Sequence, residues 1–244
     1  MKRKFLGILA IIAIFGLAAC GSKQEVNPNP DLNNNETVIS TSENNEPAIL
    51  TDEEKYESVL NEYKNAISEF SFEDISSEES IENKYGMVSL TLIEHVTRYK
   101  DDGIKLTYNF YDIDKNGVNE LLVGASGSIG AIYSYDSNTK KPTKVLFQST
   151  LERGNLDVYD NGVILSGGAG GAALHYYEFG KIASNGTSYE LLESIEEEYI
   201  ENNEVPIYRN YETGETLEYK DIAEIMDKYV SNATVVENNN DIEM

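Results

Sequence analysis

Between Tyr111 and Leu122 the chain reads Tyr-Asp-Ile-Asp-Lys-Asn-Gly-Val-Asn-Glu-Leu-Leu. Asp112, Asp114 and Asn116 stand at alternate positions, so three side-chain oxygens can wrap round one hard cation. Gly117 permits the sharp turn that follows, Val118 offers its carbonyl, and Glu120 adds a carboxylate from the far side of the turn. Ca²⁺ takes six to eight oxygen ligands, and this loop with one or two waters supplies that number. These residue types therefore point to calcium coordination by Asp112, Asp114, Asn116, Val118 and Glu120. The same stretch also reads as an Asn-Gly hairpin turn edged with solvated acids. The two readings are compatible, because a metal loop can be a hairpin turn.

The pattern D-x-D-x-N-G-x-x-E-L-L resembles the short calcium loops of FG-GAP-type repeats and dockerins. The resemblance covers about 12 residues and implies a metal-binding turn. It departs from the EF-hand, since Val123 stands where that loop carries its bidentate glutamate, and helices are not expected on both sides. A weak, extracellular-type site is the resulting expectation. It departs from a propeller as well, because propellers need several repeats and this chain has one such loop.

Other catalytic chemistry is sparse. The chain has a single cysteine, Cys20, and two histidines, His95 and His175. Cysteine-based catalysis and zinc–thiolate sites are excluded, and no disulfide can form within the chain. His95 falls on an expected helix beside Val96, and His175 alternates on an expected strand as a half-buried packing residue. No G-x-S-x-G, H-E-x-x-H or S-x-x-K motif is present. Carboxylates are so numerous that choosing two as a glycosidase pair would be arbitrary. The expectation is a protein that is not an enzyme. Ser166–Ala173 is glycine-rich, but no Gly-Lys-Ser/Thr or helix follows to bind phosphate. It is expected to be a long turn or a site of close backbone packing. Gly124–Gly130 is similar, and the two glycine segments are candidates for a shared ligand rim.

Cys20 carries chemistry of another kind. Lys2, Arg3 and Lys4 precede an apolar stretch from Phe5 to Ala19, and Leu17-Ala18-Ala19-Cys20-Gly21 follows. Fifteen residues fall short of the about 20 that a helix needs to cross a bilayer. The arrangement resembles the lipobox of bacterial lipoprotein signal peptides. That resemblance implies cleavage before Cys20, diacylglycerol on its thiol, and a membrane-anchored protein on the extracytoplasmic face. Residues 1–19 are then the signal, and Cys20 with residues through 50 forms a lipidated, disordered stalk. The stalk is rich in Asn, Glu, Ser and Pro and cannot bury enough apolar surface to order itself. As a whole, the order of signal, stalk, helix, acidic hairpin and strands resembles small surface lipoproteins of monoderm bacteria.

Acidic side chains outnumber basic ones 43 to 19, a net charge of −24 that becomes −27 once Lys2, Arg3 and Lys4 are removed. Such a charge repels polyphosphate backbones and excludes a nucleic-acid partner. It also opposes an anionic membrane surface, so the lipid must hold the protein down.

The elements that must position the loop are legible in part. Thr51 and Glu54 form a capping box, and Tyr56, Val59, Leu60, Tyr63, Ala66, Ile67 and Phe70 recur at helical spacing. A second helix is expected within Ser80–Lys100, its start weakened by Gly86. Asn-Gly pairs at 116–117, 161–162 and 185–186 separate β-rich runs and predict tight hairpins. A closing helix is expected from about Glu218 to Tyr229, and Val236 to Met244 is expected to fray. Glu190–Tyr199 fits strand or helix. The class is α+β: N-terminal helices, then an antiparallel β-meander and a short C-terminal helix, with the helices on one face of the sheet. Residues 51–232 form one domain and residues 233–244 a flexible tail. The function expected is a lipid-anchored surface domain of the cell membrane, with calcium as its ligand. The alternative is a module binding sugar, peptide or wall polymer in aid of a transporter or wall enzyme.

Overall fold

The first helix, α1 (Asp52–Glu69), starts where its chemistry requires. Thr51 Oγ1 accepts the Glu54 N–H, and the Glu54 carboxylate accepts the Thr51 N–H at 2.8 Å. The computed structural model describes residues 50–74, 78–148, 151, 153–201, 205–238 and 240–242. Cys20, the expected signal and the expected stalk through residue 49 lie outside them. The second expected helix is two, α2 (Glu78–Tyr85) and α3 (Leu90–Arg98), broken where Gly86 takes a φ of 86°.

Eleven strands follow among the described residues, and they form two antiparallel sheets rather than one meander. The first sheet contains β1 (Leu106–Tyr111), β2 (Glu120–Ala125), β3 (Ser128–Asp136) and β4 (Lys141–Phe147). The second runs through β5 (Gly154–Val158), β6 (Ile164–Gly171), β7 (Leu174–Ile182), β8 (Tyr189–Glu198), β9 (Ile207–Asn210) and β10 (Thr216–Leu217). The helix α4 (Ile222–Val230) closes the chain before a last short strand, β11 (Asn240–Asp241). Each of the three Asn-Gly pairs lies between two strands that pair with each other. The glycine-rich segment expected as a long turn or as close backbone packing is no turn but most of β6, with Gly167 and Gly168 opposite Tyr177 and Tyr176. Residues 190–198 are strand, not helix.

Strand alternation sets the layers. Leu121, Val123, Ala125, Ala131 and Tyr133 join Tyr56, Tyr63, Leu92 and Val96 in a core beneath α1–α3. The intervening Leu122 and Ile132 point the other way and pack on Leu156, Val158, Ile164 and Ile182 of the second sheet. On the far face of that sheet, Leu165, Phe179, Ile195 and Tyr208 receive Ile225 and Val230 of α4. The layers are therefore helices, sheet, sheet, helix, and the expectation that helices lie on one face of one sheet is corrected. A β-branched or larger residue at Gly130 would collide with α3, since a Cβ there would lie 2.7 Å from Leu92 Cγ.

The tyrosine stripe of α1 is core, as its spacing requires. Tyr63 OH accepts the Ser89 N–H at 3.0 Å and meets Tyr133 OH at 2.8 Å, and Tyr133 OH donates to Met87 O at 2.6 Å. One hydrogen-bond chain thus ties α1, the α2–α3 connection and β3 together without leaving a buried hydroxyl unpaired.

The described residues of the tail expected to fray form a strap, while residues 239, 243 and 244 lie outside the described residues. The Val236 N–H donates to Val158 O at the edge of the second sheet. Farther on, β11 pairs with β1 at the edge of the first sheet, and Ile242 is 4% exposed within the helix-side core. The Asn-rich composition concealed this, because the partners of these backbone groups lie more than 70 residues away in sequence. Ile242→Ala is expected to cost about 2–4 kcal/mol in a urea unfolding titration. A frayed tail would give no change.

Candidate functional site

The acidic loop between β1 and β2 is held from three sides. Asn119, near its exit, receives Tyr56 OH on its carbonyl at 2.8 Å, and its own amide donates to Asp52 Oδ2 at 2.6 Å. The first turn of α1 therefore fixes the point where the loop enters β2. The Asn161-Gly162 turn of the second sheet presses on the opposite side, where a Cβ on Gly162 would sit 2.9 Å from Ile113 O. The Asn185-Gly186 turn lies over the loop itself. A Cβ on Gly186 would be 3.4 Å from Asn116 Nδ2 and 3.8 Å from Asp114 Oδ2. All three Asn-Gly turns thus gather at one end of the domain.

Within the loop, oxygens of Asp112, Asp114 and Glu120 lie within 4.8 Å of one another. Asp112 accepts the N–H groups of Asn116 and Gly117, each at 3.0 Å. Asp114 accepts the Asn116 N–H at 3.1 Å and the Asn116 side-chain amide at 2.9 Å. Asn116 Oδ1 accepts the Val118 N–H at 2.7 Å. The structure therefore brings together three of the five expected ligands. Asn116 shares the turn, and its Oδ1 accepts the N–H of Val118, the residue that supplies the fifth expected ligand.

Glu120 is the unusual member, because its side chain is wholly buried at the start of β2. Its Oε2 accepts the Ile113 N–H at 2.8 Å, and its Oε1 lies 3.1 Å from Ser134 Oγ. Burial pushes its carboxyl up to about 7; the Ile113 N–H acts against that, and the charges of Asp114 and Asp112 add to it. Ser134 also sits at hydrogen-bond distance from Gly186 O. A serine hydroxyl carries one proton and cannot donate to both oxygens. A protonated Glu120 resolves the conflict by donating to Ser134, which donates on to Gly186. A cation on Glu120 resolves it equally, by taking the place of that donor. Neither Ser134 nor Gly186 was singled out for this site from the sequence. The available signals were a serine at an inward position of β3 and the third Asn-Gly pair.

A cavity of about 220 Å³ adjoins the loop, with Asp114 on its border. Elsewhere, His95 on α3 lies 3.4 Å from Ser126 Oγ at the surface, and the half-buried His175 lies 3.2 Å from Glu197. Glu197 is a second buried carboxylate that the sequence did not mark. It accepts the hydroxyls of Tyr177 at 3.0 Å and Tyr208 at 2.8 Å. The two glycine segments are built mainly into strands, Gly124–Gly130 into the ends of β2 and β3 and residues 166–171 into β6. Ser126-Gly127 is the β2–β3 turn and borders a cavity with Gly103–Lys105 and Thr107.

Comparison of the chain with family models, with curated proteins and with solved structures found no match. No helix among the described residues is long and apolar enough to cross a membrane.

Because the folded pKa of Glu120 lies above its ordinary value of 4.5, the cation-free fold binds this proton more tightly than the unfolded chain does. Its contribution to stability is full below about pH 4.5, declines as pH rises, and is lost above about 7. In chelator, the urea midpoint of the native protein should therefore fall between pH 5 and pH 7.5 relative to Glu120→Gln. Gln retains an oxygen for Ile113 and a donor for Ser134. Parallel pH profiles of the two proteins would remove Glu120 as the source.

Proposed function

We propose that this protein is a lipid-anchored, calcium-binding domain on the extracytoplasmic face of the cell membrane, without catalytic activity of its own. The observation that carries the calcium reading is the gathering of the Asp112, Asp114 and Glu120 oxygens, with Glu120 sealed from water. Three carboxylates so close repel one another, and a divalent cation offsets that repulsion. The donors are all oxygen, which selects hard cations over zinc or copper. An irregular loop suits Ca²⁺ better than Mg²⁺, which demands near-ideal octahedral geometry. Asn116 joins the set once its oxygen turns from the Val118 N–H, and the Val118 carbonyl is the fifth protein ligand. The membrane part rests on the basic n-region, the apolar stretch and Leu17–Gly21, with Cys20 as the lipid attachment point. Residues 21–50 are the tether.

A site with Kd near about 0.1 mM gains about 1.4 kcal/mol at about 1 mM Ca²⁺. For a domain of this size, melting should rise by about 3 to 6 °C. Mg²⁺ should do less, and Asp114→Ala should lose the response. Absence of heat in calorimetry up to several millimolar Ca²⁺ would leave the loop as a hairpin turn only.

For the anchor, Cys20→Ala is expected to accumulate as uncleaved precursor that takes up no radioactive fatty acid. Normal labelling of that variant refutes lipidation at Cys20.

A second reading, a ligand-binding module assisting a transporter or wall enzyme, is favoured by the cavity beside the loop.

A further inference from the structure

We propose that the cavity beside the acidic loop binds a branched aliphatic carboxylate about the size of one amino acid. Its volume of about 220 Å³ is below the range of drug-sized pockets and suits a ligand of that size. Ile113, Val163, Ile182 and Leu192 supply apolar lining, and Lys115 and Lys181 stand among the lining residues as its two cations.

Leu192 is placed there by a local irregularity. Across β7 and β8, Phe179 pairs with Glu193 and Gly180 with Leu191, so Leu192 is an extra residue without a partner in the ladder. A bulge of this kind re-aims a side chain, and such bulges recur beside binding sites. Here it leaves Leu192 42% exposed at the cavity rather than in either core. A leucine held out of the ladder gains burial only when something covers it.

The lysines set the sign of the ligand. Among the lining residues two lysines stand against one carboxylate, Asp114, a balance that favours an anion although the chain as a whole has 43 acidic and 19 basic side chains. Lys115 is steadied by Tyr111, whose hydroxyl accepts its proton at 2.9 Å. Lys181 pairs loosely with Glu190 at 3.6 Å, both side chains being about half exposed. Exposed pairs of that kind are worth little, so a ligand carboxylate can compete for Lys181.

Asp114 borders the cavity and belongs to the cation loop. Its charge opposes an incoming carboxylate until a cation offsets it. The anion should therefore bind tighter with Ca²⁺ present, and by reciprocity should tighten Ca²⁺. This linkage, unlike the cavity itself, rests on the calcium reading.

The test titrates the isotopically labelled protein with 4-methylpentanoate and follows backbone amide signals with and without Ca²⁺. Saturable shifts at Val163, Ile182 and Leu192 are expected, with none from 4-methylpentanamide, which lacks the charge. Lys181→Gln should weaken binding about two- to fivefold, and Leu192→Ser should weaken it about fivefold. Both positions are exposed, and unchanged dispersion of the backbone amide signals away from the cavity reports that each variant is folded. N-acetyl-leucine binding tighter than the free acid identifies the end of a peptide as the source, and the reverse order identifies a free acid. Equal response to acid and amide, or no saturable shift by about 20 mM, overturns the proposal. Calcium heat without carboxylate binding overturns this inference and leaves the calcium reading standing. Carboxylate binding without calcium heat upholds the cavity and removes the calcium reading.

Discussion

Strand β2 is buried along its whole length and on both faces, and the rest of the domain follows from that. A sheet whose central strand alternates Leu121, Leu122 and Val123 has apolar side chains on each side and needs a layer against both. The α1–α3 helices supply one layer and the second sheet supplies the other. The second sheet then has its own outer face to cover, which α4 does through Ile225, Val230 and the stacking of Tyr229 on Phe179 at 4.4 Å. Glu193 adds a polar anchor by accepting Lys228 at 2.6 Å. The two sheets are joined by polar contacts as well as apolar ones. Buried Gln148 donates to Gly167 O at 3.1 Å and accepts Ser166 Oγ at 2.9 Å.

The same constraint produces the site. Glu120 is the first residue of the doubly covered strand, so its carboxylate is buried because β2 is. Sheet packing brings the Asn161-Gly162 and Asn185-Gly186 turns against the loop before β2, while the first turn of α1 secures its exit at Asn119. An acidic turn that would be a solvated hairpin in isolation thereby acquires one carboxylate with few ways to stay charged. Its partners are a backbone N–H and a serine whose single proton is also claimed by Gly186. Buried charge of this kind is costly unless paired, and a proton on the carboxylate removes that cost.

The strap formed by residues 234–238 and 240–242 shows how edges are managed. It follows the β5 edge of the second sheet through Val236 and then the β1 edge of the first through Asn240 and Asp241. Unpaired strand edges invite association with other chains, and one segment here covers parts of two of them. The opposite edge at β4 carries Lys141, Pro142 and Lys144, residue types that discourage pairing.

The parts of this protein that the sequence by itself determined are those whose causes lie within a few residues. The Thr51–Glu54 capping box, the tyrosine stripe of α1, the three Asn-Gly turns and the alternating oxygens of Asp112, Asp114 and Asn116 are local chemistry, and each stands where it was read. The expected lipidation of Cys20 has the same local character. Tertiary structure alone decided what depends on distant partners. It divided the strands into two sheets, and it turned the glycine-rich segment into β6, whose backbone groups pair with β5 on one side and β7 on the other. It docked the Asn-rich tail through backbone groups that any sequence possesses, so composition could not reveal the pairing. It also separated Glu120 from the other acids of its loop. All are carboxylates in sequence, and only the layer packed over β2 removes one of them from water.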